Sequence, residues 1–184
     1  LAEVPSVVYV AVYENRTNVI DEFNLPPHSF ETVVDGGANQ AVGNKLFEVK
    51  PAGIETYGNT TVSVLDENRD LQTCKFSRPT SKIAWMRVTV DELYPEEALT
   101  VQVVTAIKTA VLAYAATVGI GEDIITQRFY GPIYDSTSGI ADITVEAALT
   151  ALISDTPTYS TDNAPVGRSE LAIFDASRIT VVGV

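Results

Sequence analysis

The side chains that most often carry out chemistry are scarce in this chain of 184 residues, which has one cysteine, Cys74, and one histidine, His28. A single cysteine cannot form a disulfide within the chain, and a single imidazole excludes every site that needs two. Their separation in sequence gives no support to a Cys–His nucleophile pair. We expect Cys74 to be a small, half-buried apolar residue and His28, which follows two prolines, to make a structural hydrogen bond in a turn.

Adjacent carboxylates are the remaining candidates for acid–base chemistry, at Glu96-Glu97 and at Glu122-Asp123. Both pairs stand at predicted helix starts, where negative charge interacts favourably with the exposed N–H groups. A glycosidase needs two carboxylates that face each other across a cleft, which adjacency in sequence does not indicate. The acidic run 66–70 has oxygen ligands for calcium but lacks the spacing and glycine of a helix–loop–helix site, so we expect a solvated hairpin turn. A hydrolase that uses Glu or Asp stays open as a minor alternative.

Two glycine clusters are candidates for ligand sites, Asp35-Gly36-Gly37 and Gly119-Ile120-Gly121. The first lies between a predicted strand and a predicted helix, as a phosphate loop does, but the Gly-Lys-Ser/Thr sequence and the G-x-G-x-x-G pattern are both missing. We interpret the first cluster as a turn and the second as helix ends that need positive φ. The sequence therefore predicts no catalytic, cofactor-binding or metal-binding residue.

The net charge of the chain limits the classes of partner that we expect it to bind. Twelve Lys and Arg stand against 24 Asp and Glu, which gives a formal net charge of −12. Nucleic-acid binding needs clustered basic side chains, and here they are scattered. The same charge disfavours binding to an anionic membrane surface, and the sequence has no run of 18 apolar residues that predicts membrane insertion.

Hydrophobic patterning predicts an α+β protein of two small modules in series, each a mixed or antiparallel sheet packed by one or two helices. The first module, residues 1–79, has the predicted order strand–strand–helix–strand–strand. Its strands are predicted at 6–13, 29–34, 61–65 and 71–76, and its helix at 39–49. The first strand lacks alternation, which predicts burial on both faces.

The second module, residues 80–184, begins after the proline of Ser77-Arg78-Pro79-Thr80 and has the predicted order strand–helix–helix–strand–strand. Its long helix is predicted to start at Tyr94-Pro95-Glu96-Glu97 and to run to about Val118. A shorter helix, capped by Asp123, is predicted to end near Gly131-Pro132. Strands are predicted at 82–90, 140–145 and 178–184, and a mobile loop rich in Ser, Thr, Asp and Pro at 154–169.

Three segments carry a family resemblance when taken in order: 26–37 (Pro-Pro-His-Ser-Phe-Glu-Thr-Val-Val-Asp-Gly-Gly), 50–59 (Lys-Pro-Ala-Gly-Ile-Glu-Thr-Tyr-Gly-Asn) and 76–79 (Phe-Ser-Arg-Pro). The downstream order of a strand, a long helix, 119–123 and 139–143 also fits. Together they resemble the baseplate J-like family, the wedge proteins in the baseplates of Mu-type contractile phage tails and of related prophages. The family's N-terminal portion is missing ahead of Leu1, so the resemblance implies a C-terminal part.

The resemblance implies a structural component of a tail baseplate wedge and implies no catalytic residue. Its expected partners are other wedge and tail proteins, its expected location is the virion baseplate after assembly in the host cytoplasm, and a homo-oligomer is possible. We expect exposed apolar patches on the second module. The alternative is a receptor- or carbohydrate-binding module, for which four tyrosines near turns give some support because aromatic faces stack on sugars: Tyr57, Tyr130, Tyr134 and Tyr159.

Overall fold

Strands and helices are interspersed along the chain in the computed structural model, which describes residues 1–93 and 99–183. The fold class is α+β, with mixed and antiparallel sheets, as predicted. The structure divides into two units, Leu1–Thr80 and Ser81–Val184, and each unit is described by itself.

Unit 1 is built from two small sheets and one helix. Its elements are β1 (Val7–Asn15), β2 (Ser29–Gly36), α1 (Asn39–Val49), β3 (Glu55–Tyr57), β4 (Thr60–Leu65) and β5 (Leu71–Phe76). The first sheet has the order β1-β2-β3, with an antiparallel β1–β2 pair and a parallel β2–β3 pair. The second sheet is the antiparallel hairpin β4–β5, whose tight turn was predicted from the polar run between its strands.

Helix α1 packs its buried side chains onto both sheets. Val42 and Leu46 join Val34 of β2 and Phe76 of β5 in one apolar cluster. Gly43 brings the helix close to β4, because a Cβ atom at this position would overlap Cγ2 of Val62. Periodicity and the stop signals after it predicted the bounds of α1 correctly.

Cys74 lies in the same cluster and is fully buried, where the sequence predicted half-burial. The alternation along β5, in which Cys74 and Phe76 face the core, accounts for the difference.

The prediction that the first strand is buried on both faces is wrong. Along β1 half-buried and exposed residues alternate, and Val8 and Val12 are 63% and 61% exposed. The physical reason is position: β1 is the outer strand of its sheet, and α1 packs over the neighbouring β2. The unbroken apolar run therefore reflects apolar side chains on both faces of β1. The rest of unit 1 covers only one of these faces.

Unit 2 is organised around a long central strand. Its elements within the described residues are β6 (Thr80–Leu93), α2 (Val101–Ala115), a 3₁₀ turn (Thr126–Phe129), α3 (Tyr130–Ser136), β7 (Ile140–Thr150), β8 (Glu170–Ile173), a second 3₁₀ turn (Ala176–Arg178) and β9 (Ile179–Gly183). Strand β6 pairs antiparallel with β7 and parallel with β9, and β8 also neighbours it. Met86 of β6, Ile107 of α2, and Phe129 lie at the centre of the core.

Within the described residues, the long helix of unit 2 is shorter than predicted. Its predicted start at Tyr94-Pro95-Glu96-Glu97 lies outside the described residues. The described helix begins at Val101, where the Thr100 hydroxyl accepts a hydrogen bond from the Val103 N–H at 3.3 Å, and it ends at Ala115 rather than near Val118.

The prediction of a helix from Asp123 to Tyr130 is wrong. The chain forms a 3₁₀ turn and then α3, which contains Gly131 and Pro132. Pro132 falls in the first turn of α3, where a missing N–H costs no helical hydrogen bond. Asp123 does not cap the 3₁₀ turn or α3. Its Oδ1 instead accepts the Val166 N–H at 2.8 Å. The short strands β3 and β8 were not predicted.

The segment 154–169 is irregular, as predicted, but it is held against unit 2 at three places. Ser160 exchanges backbone hydrogen bonds with Ala147 of β7, and Ala164 does so with Ile124. The bond from Val166 to Asp123 is the third anchor. The sequence did not predict these anchors, because polar composition does not show which backbone groups find partners.

Candidate interaction surface

The single histidine, His28, and the single cysteine, Cys74, both make structural contacts. His28 has a positive φ of 53°, and its Nε2 lies 2.8 Å from Oδ1 of Asn18 across the β1–β2 connection, which is the kind of turn contact predicted for it. Burial raises the pKa of the Cys74 thiol, which keeps it in the poorly nucleophilic thiol form.

The perturbed carboxylates of the described chain are shifted toward the ionised form. The pKa of Glu146 is lowered by Arg87, which donates to it in a bidentate pair at 2.6 and 2.7 Å. The pKa of Glu170 is lowered by the Gly167 N–H and by Lys82. A general acid needs the opposite shift. No group of three metal-ligating side chains occurs within residues 1–93 and 99–183.

The acidic run 66–70 forms the turn of the β4–β5 hairpin, as predicted. Oδ1 of Asp66 accepts the N–H groups of Asn68 and Asp70, each at 2.9 Å, and Oδ2 accepts from Gln72. These hydrogen bonds lower the pKa of Asp66. Glu122 accepts the Gly119 N–H at 3.1 Å, so this carboxylate also serves a turn.

Arg78 closes the corner between β2 and α1, a role that the sequence analysis did not assign. Gly36 and Gly37 both have positive φ, at 76° and 70°, and a side chain on Gly36 would overlap the Ser6 carbonyl oxygen. The Arg78 guanidinium donates to the carbonyl oxygens of Val34, Gly36 and Gly37, the first and last at 2.9 and 2.7 Å. It also donates to the Asn39 side chain at 2.6 Å. One guanidinium thus donates to three backbone carbonyls and one side chain at this corner.

An apolar strip covers the exposed face of β1. Val8, Val10 and Val12, here called the valine surface, are 63%, 37% and 61% exposed. They stand at alternate positions of one strand, so their side chains lie on one face. Exposed single valines are common on proteins, whereas three in a row form a contiguous patch.

A groove of about 400 Å³ separates the valine surface from the end of α1. It is lined mainly by apolar side chains, among them Val10, Val12, Phe30, Leu46, Val49 and Ile54. Thr32 also lines it, is 1% exposed, and has a hydroxyl with no hydrogen-bond partner among the described residues. A buried unsatisfied hydroxyl costs about 1–3 kcal/mol. The described residues of this chain thus leave one buried hydroxyl in the groove lining without a hydrogen-bond partner.

The connection between β1 and β2 is ordered by one buried amide. Asn15, which is 3% exposed, donates from Nδ2 to the carbonyl oxygens of Val19 and Leu25, both at 2.8 Å. Its Oδ1 accepts the Thr17 N–H at 2.9 Å. Leu25 is fully buried and fixes the far end of the connection.

This ordered connection presents three large apolar side chains to solvent. Val19, Ile20 and Phe23, here called the apolar loop, are 66%, 63% and 51% exposed. Asp21 turns the backbone beneath them by accepting the N–H groups of Phe23 and Leu25 at 2.9 and 2.8 Å. The sequence predicted no role for this stretch, although apolar residues between polar turn formers were a usable signal.

Unit 2 also exposes apolar side chains, as expected. Leu152 and Ile153 are 62% and 63% exposed in the turn after β7, where Leu152 N–H donates to Asp155 at 2.9 Å. The larger exposed sets, the valine surface and the apolar loop, lie on unit 1, where the sequence did not predict them.

The four tyrosines of the carbohydrate-binding alternative differ in exposure. The Arg87 guanidinium lies 4.4 Å from the ring centre of Tyr159 and covers that face. Tyr57 and Tyr130 are half-buried, and Tyr134 is 38% exposed with its ring centre 6.5 Å from that of Tyr130. Only the Tyr130–Tyr134 pair of these four leaves an aromatic platform.

Comparison with known proteins adds no assignment. The chain matches no protein-family model and no curated protein. Among the described helices, none combines the length and the apolar character needed to span a bilayer.

Proposed function

We propose that this chain is a structural subunit of a contractile-tail baseplate wedge, of a phage or a prophage, and that it acts by binding neighbouring tail proteins without covalent chemistry. The observation that carries the proposal is the apolar loop, where Val19, Ile20 and Phe23 are exposed on a backbone ordered by Asn15 and Asp21. Large apolar side chains on a preorganised loop lose little conformational entropy on docking, as an assembly interface requires.

The segments that carry the family resemblance support the same proposal, because they meet in unit 1. The Ser77 N–H donates to the Thr32 carbonyl at 2.8 Å, and the Ser77 carbonyl accepts from Val34 at 2.9 Å. Gly58 lies so close to the Phe76 backbone that a side chain there would overlap it. With the Arg78 contacts, these bonds fix three chain segments around one corner.

The net charge of −12 fits a protein that must stay unassociated until it meets the correct neighbour. Mutual repulsion opposes non-specific contacts, and the field steers a partner of complementary charge. A wedge subunit that forms several interfaces in a fixed order would benefit from both effects.

Co-expression with the products of the adjacent genes tests the proposal. We expect those genes to encode tail proteins and the chain to co-purify with at least one of them. Phe23→Asp should weaken the complex at least about tenfold, since it places a charge in an apolar contact. Leu71→Asp is the matched control, because Leu71 is 72% exposed on the β4–β5 hairpin, and it should leave binding unchanged.

Genes of unrelated function on both sides, together with no complex in any pairwise co-expression, would contradict the proposal. Equal weakening by the Phe23 and Leu71 variants would show that the apolar loop is not the interface.

The Tyr130–Tyr134 pair keeps the carbohydrate-binding alternative testable. That alternative predicts reproducible binding on a glycan array that is lost in Tyr134→Ala. The baseplate proposal predicts no such binding, so the array separates the two functions.

A further inference from the structure

We propose that the groove between β1 and the end of α1 binds a small amphiphilic carboxylate of the medium-chain fatty acid class. The groove has a volume of about 400 Å³, and small-molecule sites in proteins range from about 300 to 1,000 Å³. Such sites combine a mainly apolar lining with a few polar groups, and this groove has that composition. Two of its polar groups lack a polar partner within the described chain, and they determine the class of ligand.

The first of these groups is the Thr32 hydroxyl. Thr32 lines the groove, is 1% exposed, and makes no side-chain hydrogen bond with the described residues. Strand pairing places it opposite Val12 of β1, which borders the groove. Buried hydroxyls in folded proteins are normally hydrogen-bonded. An oxygen atom of a bound ligand would supply the acceptor that this hydroxyl lacks.

The second group is the ammonium of Lys50, the residue that follows α1. Lys50 is half-buried in the groove lining, and its Nζ lies 5.6 Å from the ring centre of Phe47. None of the ion pairs within residues 1–93 and 99–183 includes it. Hydrogen bonds from an ammonium to a carboxylate are about twice as strong as those between neutral groups. The position therefore favours a carboxylate at this end of the groove.

The other charges around the groove favour an anion as well. Glu14 is the one acidic side chain among the described residues of the lining, and it already pairs with Arg16 at 2.8 Å. Leu1 also lines the groove and adds no negative charge. The lining is thus locally positive in a chain of net charge −12. A wholly apolar ligand leaves Lys50 without a counterion, and a cationic ligand meets it with like charge.

The scarcity of polar groups favours a small molecule over a protein segment. A peptide carries a backbone donor and a backbone acceptor at nearly every residue. These groups would lose water against the apolar side chains of the lining, which include Val10, Phe30 and Leu46. An acyl chain carries no such groups, so it can fill the apolar part of the groove without this cost.

Calorimetric titration of the full chain with octanoate, below its micelle concentration, tests the inference. We expect saturable binding at one site. Octanol and octylammonium keep the apolar body and change the head group, and each should bind at least about tenfold more weakly, because neither offers Lys50 a carboxylate. Absence of saturable octanoate binding would overturn the inference. Equal affinity for the three ligands would also overturn it, because the groove would then select only for apolar surface.

Lys50→Met keeps the aliphatic stem and removes the charge. It should weaken octanoate binding at least about tenfold and leave octanol binding within about twofold. Lys75→Met is the matched control, because Lys75 is exposed on β5 and does not line the groove, and it should change neither affinity. Octanoate binding that is equal in Lys50→Met and in the unmodified chain would show that the assigned cation is wrong.

Thr32→Val replaces the hydroxyl by a methyl group of similar shape. It should raise the melting temperature of the ligand-free chain, because a buried unsatisfied hydroxyl is removed, and it should weaken octanoate binding several-fold. Loss of packing alone would lower both stability and affinity, so the opposite signs identify a hydrogen bond to the ligand. Unchanged octanoate affinity in Thr32→Val would contradict the assigned donor.

Val12→Asp locates the site independently of its polar groups. Val12 is 61% exposed, so the variant is expected to fold, and a charge beside the apolar body should abolish binding of both octanoate and octanol. Leu71→Asp, on the β4–β5 hairpin, is the matched control and should bind both ligands normally. Circular dichroism establishes that each variant is folded. Full octanoate binding by Val12→Asp would place the ligand elsewhere.

The groove and the apolar loop are separate features of unit 1, so the ligand site does not depend on the baseplate proposal. The titration needs no partner protein, and the co-expression experiment needs no ligand. Failure of either experiment leaves the other interpretable.

Discussion

At the scale of single residues, the polar side chains with the most hydrogen-bond partners stabilise turns of the backbone. Arg78 binds three carbonyls and Asn39 where β2 turns into α1, and Asn15 binds both ends of the apolar loop. These contacts join residues far apart in sequence, so spacing could not predict them. The sequence did predict the turn at Gly36-Gly37, because turn formation there is local. It also predicted positive φ at Gly119 and Gly121, which is correct for Gly121 at 72° and wrong for Gly119.

Replacing Arg78 tests how much its corner contributes to folding. Arg78→Met keeps the aliphatic stem but leaves the carbonyls of Val34 and Gly37 without their donor. We expect the free energy of unfolding to fall by about 2–4 kcal/mol, since hydrogen bonds from a charged group contribute about 1.5–3 kcal/mol each and partly overlap. Arg16→Met is the control: its side chain is 83% exposed and makes an ion pair with Glu14, so its loss should leave the unfolding free energy almost unchanged.

Urea denaturation of both variants measures the difference. An unfolding free energy for Arg78→Met equal to that of Arg16→Met would show that solvent replaces the guanidinium without cost.

The Arg87–Glu146 pair predicts a pH dependence of stability. Its hydrogen bonds lower the folded-state pKa of Glu146 below the ordinary value of 4.5. The pair therefore stabilises unit 2 fully above that value, and the contribution is lost as pH falls through the lower folded pKa. Glu146→Gln should lower the melting temperature at pH 7, and the gap to the unmodified chain should close as the pH falls below about 4.

Arg87→Gln removes the same pair from the other side and should show the same closing gap. A gap that stays constant from pH 7 to pH 3 in both variants would mean that the pair is not the source of the pH dependence. Because the Arg87 side chain is 40% exposed, solvent screening keeps the effect modest.

At the scale of secondary-structure elements, hydrophobic periodicity correctly predicted the features that depend on residues close in sequence. The bounds of α1 and β5 and the hairpin turn agree with prediction. The sequence failed where packing decides: burial of β1 depends on where α1 lies, and the 3₁₀ turn with α3 forms because Phe129 and Ile133 enter the core of unit 2. A strand of three residues such as β3 carries too little pattern to be recognised.

Because α1 packs closely on β4, we expect replacing Gly43 to change the unfolding free energy in the direction opposite to the one that helix propensity predicts. Gly43→Ala raises intrinsic helix propensity by about 1 kcal/mol, but its Cβ would overlap Val62. We expect a net loss of about 1–3 kcal/mol in unfolding free energy, because overpacking forces backbone or side-chain shifts. Gly131→Ala in α3 is the matched control, since nothing lies within 4 Å of its Cβ position, and it should be neutral or stabilising.

Chemical denaturation of the two glycine variants decides the question. A stabilised Gly43→Ala would show that α1 can move away from β4 without cost, and the account of that glycine would fail.

At the scale of the whole molecule, composition predicts which classes of partner to expect, and the structure locates the exposed apolar surfaces. Net charge and the scarcity of His and Cys could be derived from the sequence alone. The valine surface and the apolar loop could not, because exposure depends on which elements cover each other. The central claim is that the apolar loop of unit 1 is covered by a partner protein.

Hydrogen–deuterium exchange, comparing the free chain with the chain purified in complex with its neighbours, tests that claim most directly. We predict slower amide exchange in residues 16–27 of the complex, with the β4–β5 hairpin turn at 66–70 unchanged. Identical exchange in residues 16–27 in the two states would contradict the account.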